Sequence, residues 1–120
     1  MHERIQFITH QKKQILLVDF SNCPSSEVEK ISRAVPDYVT RQPRGSVLVL
    51  SDFTGATLEQ EAIRTLKEAA VFNKPYIKKS ALVGGWNLPE VLGQKLKDFS
   101  RREFPTFNSR EEALAWLVEE

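Results

Sequence analysis

The sequence predicts an α/β fold: a mixed, mainly parallel open sheet of about five strands flanked by four helices, in the order β-β-α-β-α-β-α-β-α. Three observations carry this. Two short runs, ILLVDF (15–20) and VLVL (47–50), are apolar on both faces, as strands are when helices cover both sides of a sheet. Segments with apolar residues at helical spacing separate successive strands, and such units favour parallel pairing with right-handed crossovers. Only a polar turn, His10 to Lys13, separates the first two strands, so that pair should be an antiparallel hairpin.

The elements follow in order. Residues 4–9 alternate, with Ile5 and Phe7 on one face, as in a half-buried strand. After the second strand, Ser26 and Glu29 have capping-box spacing and predict a helix start, followed by Val28, Ile31 and Val35 at helical spacing. Pro36 interrupts that pattern and should kink or break the helix near Val35, leaving a further turn with Tyr38 and Val39. A second capping box, Thr57 with Gln60, should open a helix that buries Ala62, Ile63, Leu66, Ala69 and Ala70. Asn73-Lys74-Pro75 stops it, and Tyr76 to Val83 reads as a strand. Asn87, Pro89 and Glu90 signal the next helix, with Leu88, Leu92, Leu96 and Phe99 as its buried stripe. A short strand spans 104–107, and Ser109 with Glu112 caps a last helix burying Ala113, Leu114, Leu117 and Val118. No repeat or linker is visible, so residues 1–120 read as a single domain.

Composition narrows the function classes. Hydrophobic residues at 41% and charged residues at 28% are an ordinary globular balance. A net charge of +1 leaves little surplus for phosphate contacts, so no nucleic acid partner is expected. The apolar runs are too short for a membrane span, and the N-terminal residues lack a signal-peptide core. A lone cysteine, Cys23, suits a reducing compartment, so a cytoplasmic setting is expected.

Four segments, ILLVDFSN (15–22), GSVLVLSDFTGA (45–56), KPYIKKSALVGG (74–85) and FNSREEALAWL (107–117), give the chain its resemblance to the STAS domain. It more closely resembles the SpoIIAA-like relatives of that domain, most of them of unknown function. The resemblance spans essentially the whole chain and implies an open sheet flanked by helices. It also implies a structural kinship with CRAL-TRIO lipid-binding domains. Anti-sigma factor antagonists of this family carry a phosphorylated serine in an Asp-Ser-Ser/Thr-Gly motif. The matching stretch here is Asp52-Phe53-Thr54-Gly55, with Phe53 at the acceptor position. The phosphoserine switch is therefore not implied, and only Thr54 and Thr57 remain as candidate acceptors.

Ligands of open α/β sheets tend to sit at the carboxyl ends of the strands. The residues leaving those ends form the candidate crevice for a ligand or partner: Asp19, Ser21, Asn22, Ser51, Asp52, Thr54, Gly84, Gly85 and Trp86. The same residue types also serve as ordinary turn and cap residues. Asp19 and Asp52, if adjacent, could share a proton as a catalytic pair. Cys23 precedes a helix start, but His2 and His10 offer it no evident base, so a small buried thiol is the better reading. Those two histidines lack further ligands at metal-binding spacing, and no phosphate-binding glycine motif occurs, so no metal and no cofactor is expected. Lys78, Lys79, Arg101 and Arg102 could form a basic patch, and Trp86 and Trp116 are candidate interface aromatics.

These observations lead to a non-enzymatic protein-interaction or regulatory domain as the expected function, with a homodimer or another protein as its partner. The alternative is a carrier for a small ligand or a lipid.

Overall fold

The computed structural model describes residues 3–84 and 88–119, without the side chains of 88–90. Five strands form one sheet in the order β1-β2-β3-β4-β5. They are β1 (Ile5–His10), β2 (Lys13–Asp19), β3 (Val47–Asp52), β4 (Ile77–Val83) and β5 (Thr106–Phe107). Only the β1–β2 pair is antiparallel. The hairpin turn is two residues long, shorter than the sequence suggests. Gln11 (φ 48°) and Lys12 (φ 69°) are both left-handed, as a type I′ turn requires.

Between β2 and β3 lie α1 (Ser25–Ala34) and the single turn α2 (Pro36–Val39). The predicted break falls where expected, with Pro36 as the first residue of α2. Then come α3 (Gln60–Asn73), which runs into a 3-10 turn over Lys74–Tyr76, α4 (Leu88–Ser100) and α5 (Arg110–Val118).

Strand order explains where the helices lie. Each parallel strand adds on the same side of its predecessor, so right-handed crossovers send α1, α3 and α4 to one face of the sheet. The core divides accordingly. Leu16, Val18, Val49 and Leu82 face a large cluster with Val28, Ile31, Leu66, Leu92 and Leu96 from those helices. Their strand neighbours Ile15, Leu17, Leu48, Leu50, Ala81 and Val83 point the other way, where α5 covers them with Ala113 and Leu117. The sheet is thus covered on both faces, which is why β2 and β3 read as continuous apolar runs.

Three local expectations need correction. The Ser26–Glu29 and Thr57–Gln60 capping boxes do not form. Pro24 is the N-cap of α1 and Glu59 that of α3, neither with a side-chain cap on its own helix. The buried hydroxyl of Ser25 instead accepts from the Glu59 N–H at 3.0 Å, while the Thr57 N–H bonds the Cys23 carbonyl and keeps Thr57 in the loop. The starts of α1 and α3 are therefore tied to each other. In α4 the buried stripe runs Leu92, Leu96, Ser100 at strict four-residue spacing, which turns Phe99 outward. In α5 only Ala113 and Leu117 are fully buried, and Leu114 and Val118 lie at the rim. The Ser109 cap forms as expected, accepting from the Glu112 N–H at 3.2 Å.

Candidate functional site

The carboxyl ends of β2 and β3 are built from one four-residue pattern used twice, Asp19-Phe20-Ser21-Asn22 and Asp52-Phe53-Thr54-Gly55. In each, the aspartate accepts from the N–H two residues on (2.9 Å in both) and from the hydroxyl of that same residue (2.6 Å in both). Each phenylalanine turns into the core, and the two rings stack 4.5 Å apart at an interplanar angle of 6°. The fourth residues, Asn22 (φ 56°) and Gly55 (φ 71°), are both left-handed. Backbone bonds continue the β2–β3 pairing through the loops, from Phe20 N–H to Asp52 O and from Asn22 N–H to Thr54 O, each 2.8 Å.

Register places Asp19 directly beside Asp52 on the face covered by α5. Two adjacent carboxylates would repel, and arginines resolve this. Arg110, the first residue of α5, donates through Nε to Asp52 Oδ2 at 2.6 Å and reaches Asp19 Oδ1 at 3.3 Å. On the far side of Asp19, Arg4 lies 3.7 Å from Oδ1 and donates to the Ser21 carbonyl at 2.8 Å. Burial alone would raise the Asp19 pKa. The Ser21 hydroxyl and N–H, then Arg110 and Arg4, outweigh it and hold this carboxyl below its ordinary value. Both side chains are thus held by Arg110 through ion pairs and by their own loops through hydrogen bonds.

The other sequence-derived residues divide among three places. Asp19, Ser21, Asn22, Asp52 and Thr54 do come together at the strand ends. Ser51 points to the opposite face, into the cavity described below. Gly84 is buried just past β4, whereas Gly85, Trp86 and the helix-start residue Asn87 lie outside the described residues. Of the candidate phosphoacceptors, the Thr54 hydroxyl is engaged by Asp52, and Thr57 is exposed in the loop before α3. Cys23 is buried, and burial pushes its thiol pKa up, away from a reactive thiolate.

Sequence reasoning missed the arginines. Arg110 is 58 residues from Asp52 in sequence, and no local pattern announces the pairing. The repeated Asp-Phe-Ser/Thr pattern was the available signal that the two loops are equivalent. The expected basic patch forms in part, since Lys78, Lys79 and Arg102 line one outer groove with Lys74. Lys79 donates to the Trp116 and Glu119 carbonyls at the end of α5 (3.1 and 2.8 Å) and sits over the Trp116 ring. Arg102 turns inward.

That inward arginine borders a cavity of about 70 Å³ between the sheet and helices α1, α3 and α4. The walls are apolar for the most part, including Val49, Phe53, Leu66, Leu82 and Leu96. Set among them are Ser32 Oγ and Asn73 Oδ1, both buried and without a hydrogen-bond partner among the described residues. Arg102 donates to the Ala70 carbonyl (2.8 Å) and to Ser80 Oγ (2.5 Å), with Phe104 against its guanidinium. Burial pushes its pKa down to about 10.

An open, mixed α/β sheet with helices on both faces is the class these features define. Within that class the fold is SpoIIAA-like. It is similar to the crystal structure of an uncharacterised protein of the DUF3478 family, with a SpoIIAA-like fold, from Shewanella loihica PV-4. The two superpose with a TM-score of 0.70 at 19% sequence identity, covering 95% of this chain and 92% of the other. No protein-family model and no curated protein sequence matches the chain. Among the described residues, no helix is long and apolar enough to cross a membrane, and no cluster of three or more His, Cys, Asp or Glu side chains is arranged to hold a metal ion.

Proposed function

We propose that this protein is a non-enzymatic interaction module that pairs with a second copy of itself through the outer face of α3 and α4. It resembles anti-sigma factor antagonists without their phosphoserine motif. The observation that carries the reading is four large apolar side chains turned outward on two neighbouring helices. Val71 and Phe72 on α3 are 46% and 58% exposed, and Val91 and Phe99 on α4 are both 53% exposed. Isolated apolar residues are ordinary on a surface, but Val71, Phe72 and Phe99 sit in the last turns of two helices packed on each other and offer a contact area. The helices around them carry both signs of charge, with Arg64, Lys67 and Lys95 set among Glu61, Glu68 and Asp98. A two-fold interface meets its own surface and needs such self-complementarity.

Against chemistry at the strand ends stands the occupancy of both carboxylates by Arg110 and their own loops. Sedimentation equilibrium on the wild type and a Phe72→Ser/Phe99→Ser variant tests the reading. Self-association that weakens at least about tenfold in the variant supports this face. Equal association in both proteins, or none in the wild type, refutes it.

The cavity beside Arg102 favours a second reading, a carrier of a small ligand. At about 70 Å³ it is roughly half the ~150 Å³ that holds one benzene, so it has no room for a lipid chain in this conformation.

A further inference from the structure

Four features converge on the cavity between the sheet and helices α1, α3 and α4, and three of them are polar groups set into an otherwise apolar wall. The Ser32 hydroxyl and the Asn73 carbonyl oxygen are nine-tenths buried at its wall with no partner among the described residues. Burying such groups costs free energy that an apolar residue would not. Arg102 carries a positive charge at the same wall, and its guanidinium donates to two neutral acceptors, Ala70 O and Ser80 Oγ. The carboxylate next in sequence, Glu103, is paired with Lys97 at 3.3 Å. A half-buried cation with no carboxylate partner among the described residues is open to an anionic ligand. The fourth feature is the apolar lining supplied by Val49, Leu66, Leu82 and Leu96.

We infer that the cavity is a binding site for a small 2-hydroxycarboxylate, with its carboxylate paired to Arg102 and its hydroxyl and short carbon chain inside. The donor and acceptor set fits. A carboxylate accepts from the free guanidinium N–H groups, the Ser32 hydroxyl donates to an oxygen, and the ligand hydroxyl donates to Asn73 Oδ1. Size fits as well. By the benzene comparison of about 25 Å³ per non-hydrogen atom, the cavity takes about three such atoms beyond the carboxylate. Lactate has that size, and it is the probe of choice.

The test is an NMR titration of the isotope-labelled protein with sodium lactate, with lactamide and sodium propionate as comparisons. Saturable shifts are expected at Ser32, Asn73 and Ser80, with a dissociation constant of about a millimolar. Lactamide, which lacks the charge, should bind at least about tenfold more weakly, and propionate, which lacks the hydroxyl, about threefold or more. Arg102→Gln should abolish saturation. Ala70→Val, which keeps Arg102 and fills part of the space, should do the same with the rest of the spectrum unchanged. Ser32→Ala should weaken binding while leaving the unliganded protein as stable or more so. The absence of saturation by about 100 mM lactate overturns the inference. So does equal binding of lactamide, or undiminished binding to Ala70→Val, which would put the anion on the outer groove near Lys74 and Lys78.

Discussion

Replacing Arg110 by methionine removes a side chain that spans both strand-end carboxylates, and its cost follows from their burial. Asp52 is 7% exposed and keeps its Oδ1 bonds to Thr54, but Oδ2 loses a 2.6 Å partner. Breaking a fully buried ion pair costs about 3–5 kcal/mol, and an exposed pair is worth less than about 1 kcal/mol. Arg110 is itself 41% exposed, which sets the expected loss between those limits, at about 2 kcal/mol. For a domain of this size that is a fall in Tm of about 6–10 °C. Urea unfolding followed by tryptophan fluorescence measures the loss directly, because Trp116 lies on the helix that Arg110 anchors. The decisive variant is the double substitution Arg110→Met/Asp52→Asn. An asparagine oxygen can still accept from Thr54 but leaves no buried charge, so the double variant should be about 1 kcal/mol more stable than additive losses allow. A single-variant loss below about 0.5 kcal/mol, or strict additivity, would refute the assignment of Arg110 as the counter-charge of Asp52.

Asp19 has a lowered folded-state pKa, so its contribution is complete above its ordinary value of 3.8 and fades as pH falls through the folded-state value. Asp19→Asn should therefore cost stability at neutral pH, and the gap from the wild type should close below about pH 4 in acid-denaturation curves. Gly55→Ala should cost more than about 1 kcal/mol by urea unfolding, because φ is +71° and a Cβ would stand 2.2 Å from Asn22 Oδ1. Asn22→Gly should be nearly neutral by comparison. Gln11→Asn/Lys12→Gly should raise stability by about 0.5–1 kcal/mol, since both positions already have the positive φ of a type I′ turn.

The strands and the break at Pro36 were legible because their causes are local. A run such as Ile15 to Val18 is buried on both faces, and proline cannot sit inside a helix, so each segment carries its own signal. The caps of α1 and α3 were not legible, because Ser25 reaches across to Glu59, 34 residues away, and frees neither helix to use its own box. Phe99 misled for a different reason. Its spacing from Leu96 fits a buried stripe as well as that of Ser100 does, and only the position of the sheet decides between them. At the strand ends the sequence identified Asp19, Ser21, Asn22, Asp52 and Thr54 as neighbours. It was silent on the arginines that neutralise them, since an ion pair between residues 52 and 110 leaves no trace in either segment. The cavity beside Arg102 was equally invisible, being a property of packing among three strands and three helices.

Native mass spectrometry of the wild-type chain purified from a bacterial cytosol tests self-association. At a concentration of about 10 μM, a face of this apolar character should give a predominant species of two copies, and dilution should release one. A spectrum containing only single copies across the whole concentration range would contradict the account, and would leave the outward-facing Phe72 and Phe99 without the partner assigned to them.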